Sequence, residues 1–239
     1  MRIGIIGTGK MGRTLGTRWA RGGHSVLFGS RNRSKAEAVA DGASDTARAG
    51  DFDGAAAFGE VVLYTVRDAL PSALLRASLT AKIVIDCNNS AILGLDTPDP
   101  AGRAGFHFAP PVPSLAERLA ADVPGARIVK AFNTIPASVL ELEHEQLLPY
   151  RVSVFLCSDD AQAKSIVRSL AEELGLVGVD SGELERAQLV EGMADFVRFQ
   201  ILGMGWGPFP ALSLNRVLDP PRHFQLPIAP PARAQAATV

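Results

Sequence analysis

Close to the start of the chain, the β-branched apolar run Ile3 to Ile6 breaks into Gly7-Thr8-Gly9-Lys10-Met11-Gly12, and Leu15 and Trp19 follow at helical spacing. A strand, a glycine turn and a helix in that order leave few folds open. Gly7 permits a sharp turn, Gly9 lets backbone approach a pyrophosphate, and Gly12 lets the helix pack closely on the strand. The helix N-terminus then faces the anion. Residues 7–12 are therefore expected to form the phosphate-binding turn of a dinucleotide site.

The rest of the pattern agrees with that start. Gly22-Gly23 stops the helix, Ser25 to Phe28 reads as a second strand, and Ser34 to Ala40 as an alanine-rich helix. Val61 to Val66 and Ile83 to Asp86 are further apolar strands, separated by a helical stretch from Ala69 to Leu79. A loop rich in Pro and Gly from Leu93 to Pro113 leads to a helix at Ser114 to Ala121 and the strand Arg127 to Ala131. Continuous rather than alternating apolarity marks a parallel sheet covered on both faces. The expected fold is α/β: a doubly wound, Rossmann-type parallel sheet over residues 1–136.

A small C-terminal α/β part is expected over 137–205. It begins with a strand at Val152 to Leu156, then a helix capped by Ser158 with Asp159 and Asp160 in its first turn. A long helix from Glu183 to Met204 closes it. That helix carries two apolar stripes, and one would suffice to pack it on its own domain, so a homodimer is expected, with Val190, Val197 and Ile201 as subunit-contact candidates. Residues 206–239 hold seven prolines and read as an extended tail, with a helix only at Ala211 to Leu218.

Composition excludes several classes. The 239 residues carry a formal net charge of −1, with 47% hydrophobic and 21% charged residues, which fits a folded globular protein and gives no field for nucleic acid or an anionic membrane. No apolar run approaches a membrane span or a signal peptide. Two cysteines, Cys87 and Cys157, suit reduced thiols in a cytoplasmic protein. Cys87 reads as a packed residue rather than a nucleophile. His24 reads as structural, His107 sits on a loop, and His144 and His223 have no company for metal ligation, so no metal is expected.

The end of the second strand decides the cofactor. A site selective for NAD places an acid there for the ribose 2′-hydroxyl. Here the sequence is Gly29-Ser30-Arg31-Asn32-Arg33-Ser34-Lys35, with no acid before Glu37. Ser30, Arg31 and Lys35 suit a 2′-phosphate, so NADP is expected. Thr65, Val66 and Arg67, with Asn88, close two strands at the carboxyl edge of the sheet and are candidates to line ribose and nicotinamide. Lys130 to Ala137 follows the last strand of that sheet and is expected over the cofactor's reactive end. Ala131 and Asn133 fall there on the cofactor side, and Thr134, Ile135 and Pro136 on the substrate side.

Taken together, the glycine fingerprint, the Gly29-Ser30-Arg31 turn, the Lys130 to Ala137 segment and Glu191-Gly192-Met193-Ala194-Asp195 resemble the NADP-dependent oxidoreductases of the deazaflavin coenzyme F420. The resemblance runs from residue 1 to about 205. It implies hydride transfer between nicotinamide C4 and deazaflavin C5, the rings face to face in a cleft beside the C-terminal part, with NADP contacts at Thr8, Ser30, Arg31 and Lys35. Met193 and Phe196 are then candidates for the deazaflavin pocket, with Met204 and Trp206 at its rim. The pattern also resembles the cytosolic domains of ferric reductases. The alternatives are an NADPH-dependent reductase of a flavin or a small biosynthetic imine or enone, and a non-catalytic NADP(H) sensor.

Overall fold

The computed structural model describes residues 1–66, 71–89 and 113–216. Six parallel strands carry the first part: β1 (Arg2–Ile6), β2 (Ser25–Gly29), β3 (Arg48–Gly50), β4 (Val61–Tyr64), β5 (Ile83–Asp86) and β6 (Arg127–Lys130). Their order is β3-β2-β1-β4-β5-β6, so the winding direction reverses between β1 and β4. That reversal opens a crevice at the carboxyl ends of the strands. All of β4 and β5, and β1 beyond Arg2, are buried, as double coverage of a parallel sheet requires. Successive residues serve opposite faces: Ile3 and Ile5 join a core with Leu15, Trp19 and Phe28, and Ile6 joins one with Val62, Val84 and Leu119.

Helices α1 (Lys10–Arg21), α2 (Arg33–Asp41), α3 (Phe52–Phe58), α4 (Ala73–Leu79) and α5 (Leu115–Asp122) flank the sheet. The second part holds the short helices α6 (Ala137–Leu140) and α7 (His144–Leu147), then β7 (Ser153–Leu156), α8 (Ala161–Glu172), β8 (Val177–Asp180) and α9 (Ala187–Leu202). β7 and β8 form a two-stranded parallel sheet. It joins the larger sheet through an antiparallel bridge between Lys130 and Cys157. Across the other side, Trp19 Nε1 donates to the Leu170 carbonyl at 3.2 Å and Arg18 to the carbonyls of Leu140 and Leu174. The Rossmann-type doubly wound α/β fold is as expected.

Several local expectations are corrected. β3 and α3 were not legible, since β3 is three residues long and α3 is an alanine-rich turn pair. Asp160, not Ser158, caps α8, accepting from the Ala163 amide, while Ser158 Oγ donates to the Ile128 carbonyl. The long C-terminal helix starts as a 3-10 turn at Leu184–Arg186 before α9. The helix expected at 211–218 is not formed over 211–216, and 217–218 lie outside the described residues. Ser153 N donates to Leu212 O, and Leu214 N to Ser153 Oγ, so the chain lies beside the open edge of β7. Prolines 208 and 210 favour that extended entry. Arg67, His107 and His223 also lie outside the described residues.

Candidate nucleotide site

Gly7 carries φ +106°, a conformation side chains rarely adopt, and its amide donates to the Gly29 carbonyl at 3.0 Å. A Cβ on Gly12 would stand 2.0 Å from the Gly7 carbonyl oxygen, so only glycine lets α1 approach the turn. A Cβ on Gly9 would meet nothing within 4 Å. Packing therefore does not require glycine at that position. Thr65 Oγ1 closes the other wall by donating to the Ile6 carbonyl at 2.9 Å.

Helix α1 begins at Gly9 without a side-chain cap and has no acid in its first turn. By contrast α2, α3, α4 and α5 are capped by Asn32, Asp51, Ser72 and Ser114. Uncapped amides at a helix N-terminus attract an anion. Thr8 and Met11 are half-buried beside that terminus, and Lys10 is exposed.

The basic turn sits next to this cradle, because Ile6 pairs with Gly29 across β1 and β2. The Ser30 amide donates to Gly50 O, and Ser30 Oγ accepts from the Asn32 amide, leaving its hydroxyl proton to give. Arg31 and Lys35 are exposed and make no ion pair among the described residues. The nearest acid in sequence, Glu37, is engaged by Arg33 at 2.8 Å. An uncapped helix end beside a serine hydroxyl and two unengaged cations fits a pyrophosphate and a further phosphate on the same ligand.

At the carboxyl edge of β5 and β6 lies a network that sequence reading missed. Asn88, half-buried, donates through Nδ2 to the Tyr64 carbonyl at 3.0 Å and to Asp86 Oδ1 at 2.7 Å. Asn133 donates to Asn89 Oδ1 and to the Val190 carbonyl, and Asn89 donates back to the Asn133 carbonyl. Lys130 Nζ is wholly buried between Asp86 and Glu191 at 2.8 and 2.6 Å. The signal was a charged residue inside an apolar strand, Ile128-Val129-Lys130-Ala131, and another, Glu191, inside a helix apolar on two sides. Phe132 turns the chain between Lys130 and Asn133 with φ 60°, held edge-on against Trp19 at 5.8 Å.

Among the other predicted residues, Ala131, Thr134 and Ile135 are buried, and Val66 and Pro136 are half-buried. On α9, Val190 and Val197 are buried within this chain, which corrects their place as subunit contacts. Packing on the chain's own core uses that stripe. The opposite stripe is the open one: Leu189 is 67% and Phe196 49% exposed, with Met193 half-buried between them. Met204 and Trp206 are also exposed. Leu189 and Met193 border a groove of about 460 Å³ against Phe155, Val179, Leu212 and Leu214. Cys87 is buried and its thiol is pushed up to about 12 by burial, then by Asp86, as suits a packed residue. His24 bridges to Glu173 at 2.7 Å, as a structural histidine does. No group of metal-ligating side chains occurs among the described residues, and none of their helices is long and apolar enough to cross a membrane.

Comparison with known proteins adds the following. The family model for NADP oxidoreductase, coenzyme F420-dependent, matches residues 2–90. The F420-dependent NADP reductase of Methanothermobacter thermautotrophicus is 32% identical over 205 residues, covering 80% of this chain and 85% of that one. Metalloreductase STEAP3 of Rattus norvegicus is 29% identical across 80% of this chain, which spans only 36% of that protein. Among solved structures, a protein assigned as an F420-dependent NADP reductase in Arthrobacter sp. FB24 superposes with a TM-score of 0.72 at 25% identity, covering 90% of this chain and 99% of that one.

Proposed function

Because the chain belongs to the coenzyme F420-dependent NADP oxidoreductase family, we propose that it is an enzyme transferring a hydride between NADP(H) and coenzyme F420. The observation that carries this reading is the uncapped start of α1 beside a turn with Ser30, Arg31 and Lys35 and no free acid. In this reading Gly7 to Gly12 hold the pyrophosphate, and Ser30, Arg31 and Lys35 the 2′-phosphate. Thr65, Val66, Asn88, Ala131 and Asn133 border the nicotinamide end. The protein's part is to hold two rings in reach and keep water out, and no general acid or base is needed for the hydride itself.

Residues 1–136 serve as the nucleotide unit, 137–205 as the acceptor unit and 206–239 as a tail. The acceptor falls to Met193 and Phe196 on α9, with Met204 and Trp206 at the rim and Pro136 as a further candidate on the substrate side. Thr134 and Ile135, being buried, shape the wall from behind. A homodimer in which a second copy covers Leu189 and Phe196 would complete this wall. A cytoplasmic location belongs to the same reading.

The test is oxidation of NADPH by purified protein with F420 or with FMN as acceptor. Reduction of F420 supports the proposal. Similarity to a metalloreductase favours one second reading, an NADPH-dependent reductase of an acceptor other than F420, and turnover with FMN alone would select it. Tight NADPH binding with no turnover on either acceptor would point to a sensor.

A further inference from the structure

The proposed hydride transfer makes no use of the buried charges under the carboxyl edge of the sheet. Lys130 Nζ donates to Asp86 Oδ2, to Glu191 Oε1 and to the Asn88 carbonyl, which spends all three ammonium protons. Asp86 is equally satisfied: its Oδ1 accepts from the amide and the side chain of Asn88 at 3.2 and 2.7 Å. Glu191 differs. Its Oε1 accepts from Lys130 and from the Leu115 amide at 3.0 Å, while Oε2 is buried with no partner among the described residues.

One ammonium against two ionised carboxylates would leave a buried negative charge uncompensated, and it would leave an ionised oxygen without a donor. We propose that Glu191 is a positioning residue that acts as a neutral carboxylic acid, fastening helix α9 through Lys130 to the Asp86–Asn88 turn. The claim rests on the reading of that edge as the nicotinamide side and of α9 as the acceptor side. One proton on Oε2 balances the charge of the cluster and leaves a neutral hydroxyl there, whose burial costs less than that of an ionised oxygen. Asn133, whose Nδ2 holds the carbonyl of Val190, the residue before Glu191, likewise has a buried Oδ1 with no partner among the described residues.

Among the described residues, the elements around Glu191 set one cation and one further carboxylate against it. β6 presents Lys130, β5 presents Asp86, and α5 presents only the Leu115 amide, since Glu117 is turned to the Ser114 amide at 2.8 Å. Burial raises the Glu191 carboxyl above the usual range, Lys130 pulls it down, and Asp86 adds to the rise. The folded chain therefore holds this proton more tightly than the unfolded one. Its stabilisation is complete below the ordinary glutamate range and is lost as pH rises through the raised value. Deprotonation sets two carboxylates against one ammonium and loosens α9, which carries Met193 and Phe196.

Three measurements on the full chain decide the matter without reference to turnover. The infrared difference between wild type and Glu191→Gln at neutral pH should show a carboxylic-acid carbonyl band in the wild type that the variant lacks. A difference containing only carboxylate bands overturns the proposal. If Glu191→Gln does not fold, wild type labelled with carbon-13 at glutamate side chains gives the same answer: one carboxyl resonance in the neutral-acid position supports it, none overturns it. Amide exchange then tests the fastening. Glu191→Ala should speed exchange in α9 about tenfold or more while α1 stays unchanged, and Glu191→Gln should restore protection to within about twofold. Equal exchange in the Ala and Gln variants, slow or fast, overturns the positioning role. Absence of turnover with any acceptor would count against the proposed reaction alone.

Discussion

Gly9 and Gly12 stand three residues apart and answer to different demands. Space at Gly9 is open and space at Gly12 is closed by the Gly7 carbonyl. Gly9→Ala should therefore leave stability within about 0.5 kcal/mol of wild type while weakening NADPH binding by tenfold or more. Gly12→Ala should lose about 1–3 kcal/mol by overpacking, and urea unfolding with parallel NADPH titration separates the two. Unchanged NADPH affinity in Gly9→Ala would remove the phosphate site from this turn. The glycines were legible because backbone chemistry is local, as was the acid-free turn after β2. Lys130 and Glu191 were visible as charges in apolar surroundings, but their pairing spans 61 residues of sequence and depends on where α9 docks.

At the scale of elements, α9 shows what periodicity can and cannot decide. Two apolar stripes were readable from the sequence, yet which one meets the core depends on the tertiary position of the helix. The structure buries Val190 and Val197 and leaves Leu189 and Phe196 open. Lysine at both Leu189 and Phe196 should give a folded protein that sediments as a monomer, whereas Val197→Asp should cost about 4 kcal/mol by burying an unpaired charge. A wild-type monomer at micromolar concentration would contradict the dimer. Fully buried, largely apolar strands such as β4 and β5 were legible for the same reason that α9 was ambiguous: burial on every side needs no choice of face. The three-residue β3 and the half-exposed β8 offered no such signal.

For the whole molecule, the order β3-β2-β1-β4-β5-β6 puts the ends of β1 and β2 next to one another, and so brings the glycine turn and the basic turn into one site. The second unit reaches the same edge through the Lys130–Cys157 bridge and the Lys130–Glu191 contact. Family resemblance was legible across that whole span, because its motifs fall on the parts that this topology gathers. Cofactor choice is the claim on which the rest depends, and calorimetric titration of wild type and Arg31→Ala with NADPH and with NADH tests it most directly. Wild type should bind NADPH the more tightly, and Arg31→Ala should lose about 1.5–3 kcal/mol for NADPH, the worth of a hydrogen bond to a charged group, with little change for NADH. Equal losses for the two nucleotides, or a wild type that does not distinguish them, would contradict the account.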